Sequence, residues 1–67
     1  MEFNMNDVMK VDEVSKWLRI PKSTLYKLCI EGQIPCTKIG KHWRFERGVV
    51  KNWFEKKVRE NITNHHI

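Results

Sequence analysis

This chain of 67 residues contains few cysteines and no long apolar segment. Its two cysteines, Cys29 and Cys36, are too few for a disulfide framework, and their separation of seven does not match the close pairs of a structural zinc site. No apolar run approaches the roughly 20 residues that a membrane-spanning helix needs, and no signal-peptide pattern opens the chain. We therefore expect a cytoplasmic protein that does not cross a membrane and holds no metal or cofactor.

The chain also lacks a pattern of catalytic side chains. No pair of carboxylates, and no nucleophile with a base, stands at a meaningful spacing. A length of 67 residues gives one domain, close to the lower limit for folding on a single core and too small to enclose a substrate pocket. The sequence therefore predicts a protein that is not an enzyme.

Acidic residues are scarce in one part of the chain. From Lys16 to Arg44 there are seven basic side chains and one acidic one, Glu31, so this window carries a net charge of +6. The remaining residues carry six basic and seven acidic groups, a net charge of −1, and the whole chain has a net charge of +5. A basic excess confined to one segment is typical of a protein with a polyanion partner, although the solvated surface of an ordinary basic protein can also carry it.

Apolar spacing predicts two short helices in the first half of the chain. The apolar residues of VDEVSKWL recur at helical spacing, which predicts a first helix over residues 11–18. A second helix from about residue 21 to 31 begins at Pro21, whose fixed φ suits a first helical position. Gly32 follows its last turn, where a left-handed conformation commonly ends a helix.

The second helix has two different faces. At a period of 3.6 residues, Leu25, Leu28 and Cys29 fall on one side, which predicts that this side faces the core. The other side carries cations and hydrogen-bonding groups suited to nucleic acid: Lys22, Ser23, Tyr26 and Lys27.

Residues 36–45 predict a β-hairpin. Apolar and polar residues alternate in CTKI, as they do in a half-buried strand, and they alternate again in WRF, which follows GKH. Gly40 lies at the turn between these two segments. Ile39, Trp43 and Phe45 are expected to face inward, and Ile30 of the second helix is expected to pack against this hairpin or a neighbouring strand. Because so small a hairpin is not stable alone, it is expected to lie on the helices.

A third helix is predicted over about residues 46–59. Val49, Val50, Trp53 and Phe54 recur at helical spacing there, and their stripe is expected to close the core. Large aromatic side chains bury much apolar area in a short chain, so the core is expected to be weighted towards aromatic residues, including all three tryptophans: Trp17, Trp43 and Trp53.

At the two ends of the chain, apolar residues show no sustained periodicity. Residues 1–8 predict a flexible arm, and residues 60–67, which include His65 and His66, predict a disordered tail. The domain between them is expected to span residues 9–59.

Helix, tight turn, helix, basic hairpin and helix is the order of a winged helix-turn-helix. The predicted fold class is therefore mainly α with a small β-hairpin, in the order α-α-β-β-α. Two segments, VDEVSKWLRIPKSTLYKL and GQIPCTKIGKHWRF, resemble the helix-turn-helix and the basic, aromatic wing of the excisionase-family DNA-binding domain, which is related to the DNA-binding heads of MerR-type regulators. The resemblance covers about Met9 to Phe54.

The resemblance implies that the second helix enters the major groove of double-stranded DNA, while the wing reaches an adjacent groove or the backbone. The lysines of the helix and wing, together with Arg44, are then expected to contact phosphates. Ser23, Thr24 or Lys27 are expected to contact base edges. Thr24 has an alternative role in a local backbone hydrogen bond. Tyr26 is expected to donate its hydroxyl to a phosphate. The DNA-binding residues implied are Lys22, Ser23, Thr24, Tyr26 and Lys27 on the helix, and Lys38, Lys41, His42 and Arg44 on the wing.

Three residues depart from the family pattern. Lys10 stands where a threonine commonly caps the first helix, a loss of roughly 1 kcal/mol in typical cases. Arg19 replaces the usual glycine of the turn, and Pro21 replaces a serine cap. These changes are expected to affect the geometry of the turn and therefore the docking of the second helix.

The sequence leaves the biological role open. One role is an excisionase-like architectural or recombination accessory factor that acts with an integrase or recombinase, or with neighbouring copies on DNA. The other is a small transcriptional regulator with the same DNA-binding mode. Only eight residues follow Arg59, without a heptad pattern, so a monomer in solution is expected. A protein–protein adaptor or antitoxin-like module is the alternative of another class.

Overall fold

The computed structural model describes residues 7–64, with side chains described for residues 7–61. It is mainly helical, with three helices and a small antiparallel sheet, which confirms the predicted winged helix-turn-helix. One strand precedes the first helix, so the order is β-α-α-β-β-α rather than α-α-β-β-α. The elements are β1 (Val8–Lys10), α1 (Val11–Leu18), α2 (Lys22–Ile30), β2 (Thr37–Ile39), β3 (His42–Glu46) and α3 (Arg47–Asn64).

The additional strand, β1, ties the start of the domain to the wing. The sheet has the order β1-β3-β2, and Met9 of β1 lies opposite Phe45 of β3, with both residues buried. Three residues are too few to show alternation, and β1 exists only through pairing with a segment distant in the chain, so the sequence pattern did not predict it. Val8, which was assigned to the arm of residues 1–8, belongs to this strand. Residues 1–6 lie outside the described residues.

The register of the hairpin decides which side chains face the core. Ile39 lies opposite His42, across a two-residue turn. Directly opposite residues of an antiparallel pair point to the same face, and successive residues alternate between faces. Ile39 therefore shares the face of His42 and is 63% exposed, so its predicted inward position is wrong. Phe45 is buried and Trp43 packs half-buried against the core, as predicted.

The core is small and mostly aliphatic. Val14 of α1, Leu25 of α2 and Val50 of α3 have no exposed surface, so each helix contributes one fully buried side chain. The predicted inward side of α2 is confirmed, because Cys29 is buried and Leu28 is half-buried against the same cluster. The other buried residues are Met9, Val11, Ile34 and Phe45.

Several apolar side chains that were predicted to be inside lie at the surface. Trp17 is 37% exposed, Val49 is 49% exposed and Phe54 is 41% exposed. Ile30 is 74% exposed and does not pack as predicted. A domain of this size has too few elements to cover more than one narrow stripe of each helix. On α3 that stripe contains Val50 and the half-buried Trp53, and Val49 and Phe54 flank it.

Helix α1 ends in a tight turn that is held by backbone and side-chain hydrogen bonds. Arg19 adopts the left-handed conformation, with φ 58° and ψ 45°. The Ile20 N–H donates to the Ser15 carbonyl at 3.1 Å, and the Ser15 hydroxyl donates to the Ile20 carbonyl at 2.6 Å. Because Ser15 bonds Ile20 in both directions, it fixes where the chain leaves α1 towards α2.

Helix α2 ends in the same way, with the glycine that the sequence predicted. Gly32 has a φ of 70°, and the Gln33 N–H donates to the Leu28 carbonyl at 2.8 Å. This six-to-one bond around a left-handed residue is the Schellman pattern. Arg19 therefore occupies, at the end of α1, the position that glycine occupies at the end of α2.

Carboxylates accept backbone N–H groups at the starts of α1 and α3. The Glu13 carboxylate accepts the Lys10 N–H at 2.8 Å at the start of α1. The Glu46 carboxylate accepts the Val49 N–H at 2.8 Å at the start of α3. Both contacts satisfy donors that the helix itself leaves unpaired.

Helices α2 and α3 each differ at both ends from the sequence prediction, α2 covering residues 22–30 rather than about 21–31 and α3 residues 47–64 rather than about 46–59. Pro21 lies just before α2 rather than at its first helical position, and its carbonyl accepts the Leu25 N–H at 3.1 Å. Helix α3 continues to Asn64, so residues 60–64 of the predicted disordered tail are helical. No glycine or proline follows Gly48 to stop this helix, and its lysine, arginine and glutamate residues favour helix. Residues 65–67 lie outside the described residues.

Substitutions at the ends of α1 and α2 are expected to change the stability of the domain in opposite directions. Arg19→Gly relieves a left-handed arginine and should stabilise the domain by about 1 kcal/mol, a rise in melting temperature of about 4–8 °C. Gly32→Ala should destabilise it by a similar amount through the backbone alone, because no atom lies within 4 Å of a Cβ added there. Thermal and urea unfolding of both variants measures this. A lower stability of Arg19→Gly would contradict the assignment of strain to Arg19.

Candidate nucleic-acid interface

The exposed face of α2 carries all the side chains of this helix that were predicted to contact DNA. Leu25 and Cys29 are buried on the opposite side, which holds the helix on the core and fixes this outward face. The exposed residues are Lys22, Ser23, Thr24, Tyr26 and Lys27.

Cys29 is a core residue rather than a reactive thiol. Burial, together with the neighbouring side chain of Cys36, raises the pKa of Cys29 to about 12. The thiol is therefore protonated at neutral pH, and only a thiolate is a good nucleophile or metal ligand. Among the residues that the structure describes, no three histidine, cysteine or acidic side chains are grouped closely enough to hold a metal ion.

A groove joins α2 to the wing. Tyr26 of α2 lines it together with Lys41, His42 and Arg44, three of the four wing residues predicted to bind DNA, and its volume is about 290 Å³. Trp43, the end of β1 and the start of α1 complete the lining. We call this the interface groove. The hairpin therefore lies beside the exposed face of α2, although the two segments are separate in sequence.

Lys10 belongs to the same groove and was missed as a contact residue. It is exposed, lines the interface groove and lies directly opposite Arg44 in the pairing of β1 with β3. In the sequence it stood out only as a poor helix cap. No local signal could identify it, because its position depends on β1, which only long-range pairing reveals.

The wing residues do not form one continuous row. Lys38 lies opposite Trp43, and its ammonium is 5.5 Å from the centre of the indole ring, a cation–π arrangement. It is not part of the groove lining. Arg44 is half-buried, and one guanidinium N–H donates to the Trp43 carbonyl at 2.9 Å. Lys41 and His42, in contrast, are exposed at the tip of the hairpin.

Lys22 is paired with an acidic residue of α1. Its ammonium lies 2.9 Å from the Asp12 carboxylate, and both side chains are more than half exposed. The hydrogen bond from Lys22 and its positive charge lower the pKa of Asp12, and the same hydrogen bond and the carboxylate charge raise the pKa of Lys22. Both groups are therefore charged at neutral pH, and a phosphate that approaches Lys22 competes with Asp12.

The fold and this surface define a helix-turn-helix protein with an exposed second helix and a basic wing. The chain matches the family model described as a helix-turn-helix domain over residues 8–58, from the first residue of β1 into α3. This match covers more than half of the chain, so the protein belongs to this family of DNA-binding domains. Searches of curated proteins and of solved structures each returned no match. Within residues 7–64, no helix has the length and apolar character needed to cross a membrane.

Removing the Asp12 carboxylate should strengthen DNA binding. Asp12→Asn frees Lys22 and removes a negative charge beside the proposed contact face, so affinity for duplex DNA at low salt should rise about two- to fivefold.

Glu13→Gln is the matched control, because it changes the net charge equally and keeps an oxygen that can accept the Lys10 N–H. Fluorescence anisotropy with a labelled duplex measures both variants. Equal effects of the two substitutions would show that the Asp12–Lys22 pair does not restrain binding.

Proposed function

We propose that this protein binds double-stranded DNA sequence-specifically, with α2 in the major groove and the β2–β3 hairpin as a wing on the adjacent backbone or groove. The observation that carries the proposal is the interface groove, where Tyr26 of α2 and the wing residues Lys41, His42 and Arg44 line one surface. A duplex held by α2 would thereby also meet the wing. Membership of a DNA-binding helix-turn-helix family supports the same mode.

The contacts divide into those that set affinity and those that read sequence. Lys22, Lys41 and Arg44 are assigned to phosphates, and the Tyr26 hydroxyl to a phosphate oxygen. The exposed side chains assigned to base edges are Ser23, Thr24 and Lys27, because short hydroxyls and a lysine can reach the edges of bases from a helix in the groove.

Two lysines extend this assignment. Lys10 lies opposite Arg44 at the rim of the interface groove, and we add it to the phosphate contacts. Lys38 is assigned to a phosphate on the other face of the wing, because in the hairpin register it lies opposite Trp43 and therefore on the face away from His42 and Arg44.

The cellular role that we propose is that of an excisionase-like architectural or recombination accessory factor, without catalytic activity of its own. It would bind as a monomer to cytoplasmic, nucleoid DNA beside an integrase or recombinase, or beside neighbouring copies of itself. The resemblance of residues 9–54 to the excisionase-family domain supports this role. A small transcriptional regulator uses the same DNA-binding mode, and selection of bound sequences followed by inspection of neighbouring genes for an integrase separates the two.

Salt dependence tests DNA binding against the adaptor or antitoxin-like alternative. If each of the five cations assigned to phosphates neutralises one, the logarithm of affinity should fall with the logarithm of salt concentration at a slope of about −4.5. Lys10→Ala should reduce the slope by about 0.9, whereas Lys56→Ala, on the exposed surface of α3 outside the interface groove, should leave it unchanged. A flat salt response of the parent protein would exclude the DNA-binding proposal.

Sequence preference tests the division of roles. Lys41→Ala should weaken binding to all duplexes about equally, because a phosphate contact carries no sequence information. Lys27→Ala should also narrow the difference between a selected site and random DNA, by about 1–3 kcal/mol if Lys27 reads a base. Competition binding with the two duplexes measures this difference. An unchanged preference in Lys27→Ala would remove Lys27 from the base-reading residues.

A further inference from the structure

A second groove lies between the end of α1 and the first half of α3. It has a volume of about 530 Å³ and shares no lining residue with the interface groove. We call it the α1–α3 groove. It is lined by Trp17, Leu18, Arg19, Arg47, Lys51, Phe54 and Glu55.

The α1–α3 groove has an apolar floor that is partly exposed to solvent. Trp17 is 37% exposed and Phe54 is 41% exposed. Val58, one helical turn beyond Phe54, is 40% exposed, so the apolar surface continues along α3. An exposed apolar patch with a polar rim commonly marks a protein interaction site. Duplex DNA presents mainly phosphates and polar base edges, so it has little with which to fill an aromatic floor.

The rim of the groove is positively charged. Arg19, Arg47 and Lys51 stand there against one carboxylate, Glu55. The Arg47 guanidinium lies 5.4 Å from the centre of the Trp17 ring, so a cation is held directly beside the aromatic floor. A partner that places carboxylates at this rim would be attracted, and a basic partner would be repelled.

Arg19 supplies an independent observation. It holds a left-handed backbone conformation that an arginine adopts at a cost and a glycine adopts freely. Residues with strained backbone conformations cluster at functional and ligand-binding sites, and Arg19 is one of the residues that line this groove.

We propose that the α1–α3 groove binds an acidic amphipathic segment of a partner protein. An apolar side chain of that segment packs on Trp17 and Phe54, and its carboxylates pair with Arg19, Arg47 and Lys51. The segment leaves the interface groove free, so the protein holds DNA and this partner at the same time.

The test uses a displayed library of random peptides, selected for binding to the full chain in the presence of competitor duplex DNA. The selected peptides should combine aspartate or glutamate with phenylalanine, leucine or tryptophan. Binding of single peptides is then measured by fluorescence anisotropy with four variants. Phe54→Ala and Lys51→Glu alter the groove, and Val49→Ala and Lys56→Glu make matched changes on exposed positions of α3 outside its lining.

Phe54→Ala and Lys51→Glu should each weaken peptide binding about tenfold, whereas Val49→Ala and Lys56→Glu should change it less than about twofold. Circular dichroism confirms that each variant is folded. Selected peptides without acidic residues, or equal binding by the Lys51→Glu and Lys56→Glu variants, would overturn the proposal. So would a loss of duplex DNA binding in Phe54→Ala as large as its loss of peptide binding, because the groove would then be a DNA surface. DNA binding and peptide binding are measured separately, so either proposal can fail without the other.

Discussion

The pairing of β3 with both of its neighbours is the constraint on which the rest of this small structure depends. Because β3 is the central strand, its register with β1 and β2 determines that Phe45 and Trp43 face the core while His42 and Arg44 face outward. The contact of Phe45 with the buried Met9 anchors the wing to the start of the domain. A hairpin as short as β2–β3 would not be stable without such support.

The helix ends have a comparable influence on the proposed DNA-binding surface. The hydrogen bonds between Ser15 and Ile20 fix how the chain leaves α1, and the burial of Leu25 fixes which side of α2 faces outward. The departures at Arg19 and Pro21 are accommodated within this turn: Arg19 takes the left-handed conformation of the usual glycine, and Pro21 lies just before the first residue of α2.

Charge is distributed over two surfaces with different chemistry. The interface groove combines cations with hydrogen-bonding side chains such as Tyr26 and His42, which suits a polyanion with polar edges. The α1–α3 groove combines cations with an aromatic floor, which suits an acidic chain that also has apolar groups. Because both grooves are positively charged, net charge does not distinguish them. The uncharged residues beside the cations do.

Periodic apolar residues and local turn signals such as Gly32 were sufficient to predict the three helices, the hairpin and the inward side of α2. The sequence also identified the basic segment and the outward residues of α2. The strand β1 and the place of Lys10 in the interface groove could not be predicted, because both depend on the pairing of β1 with the distant β3, and the outward position of Ile39 depends on the register within the hairpin. The exposure of Trp17 and Phe54 was likewise decided by packing, since periodicity shows that a helix has an apolar side but not how much of that side its neighbours can cover.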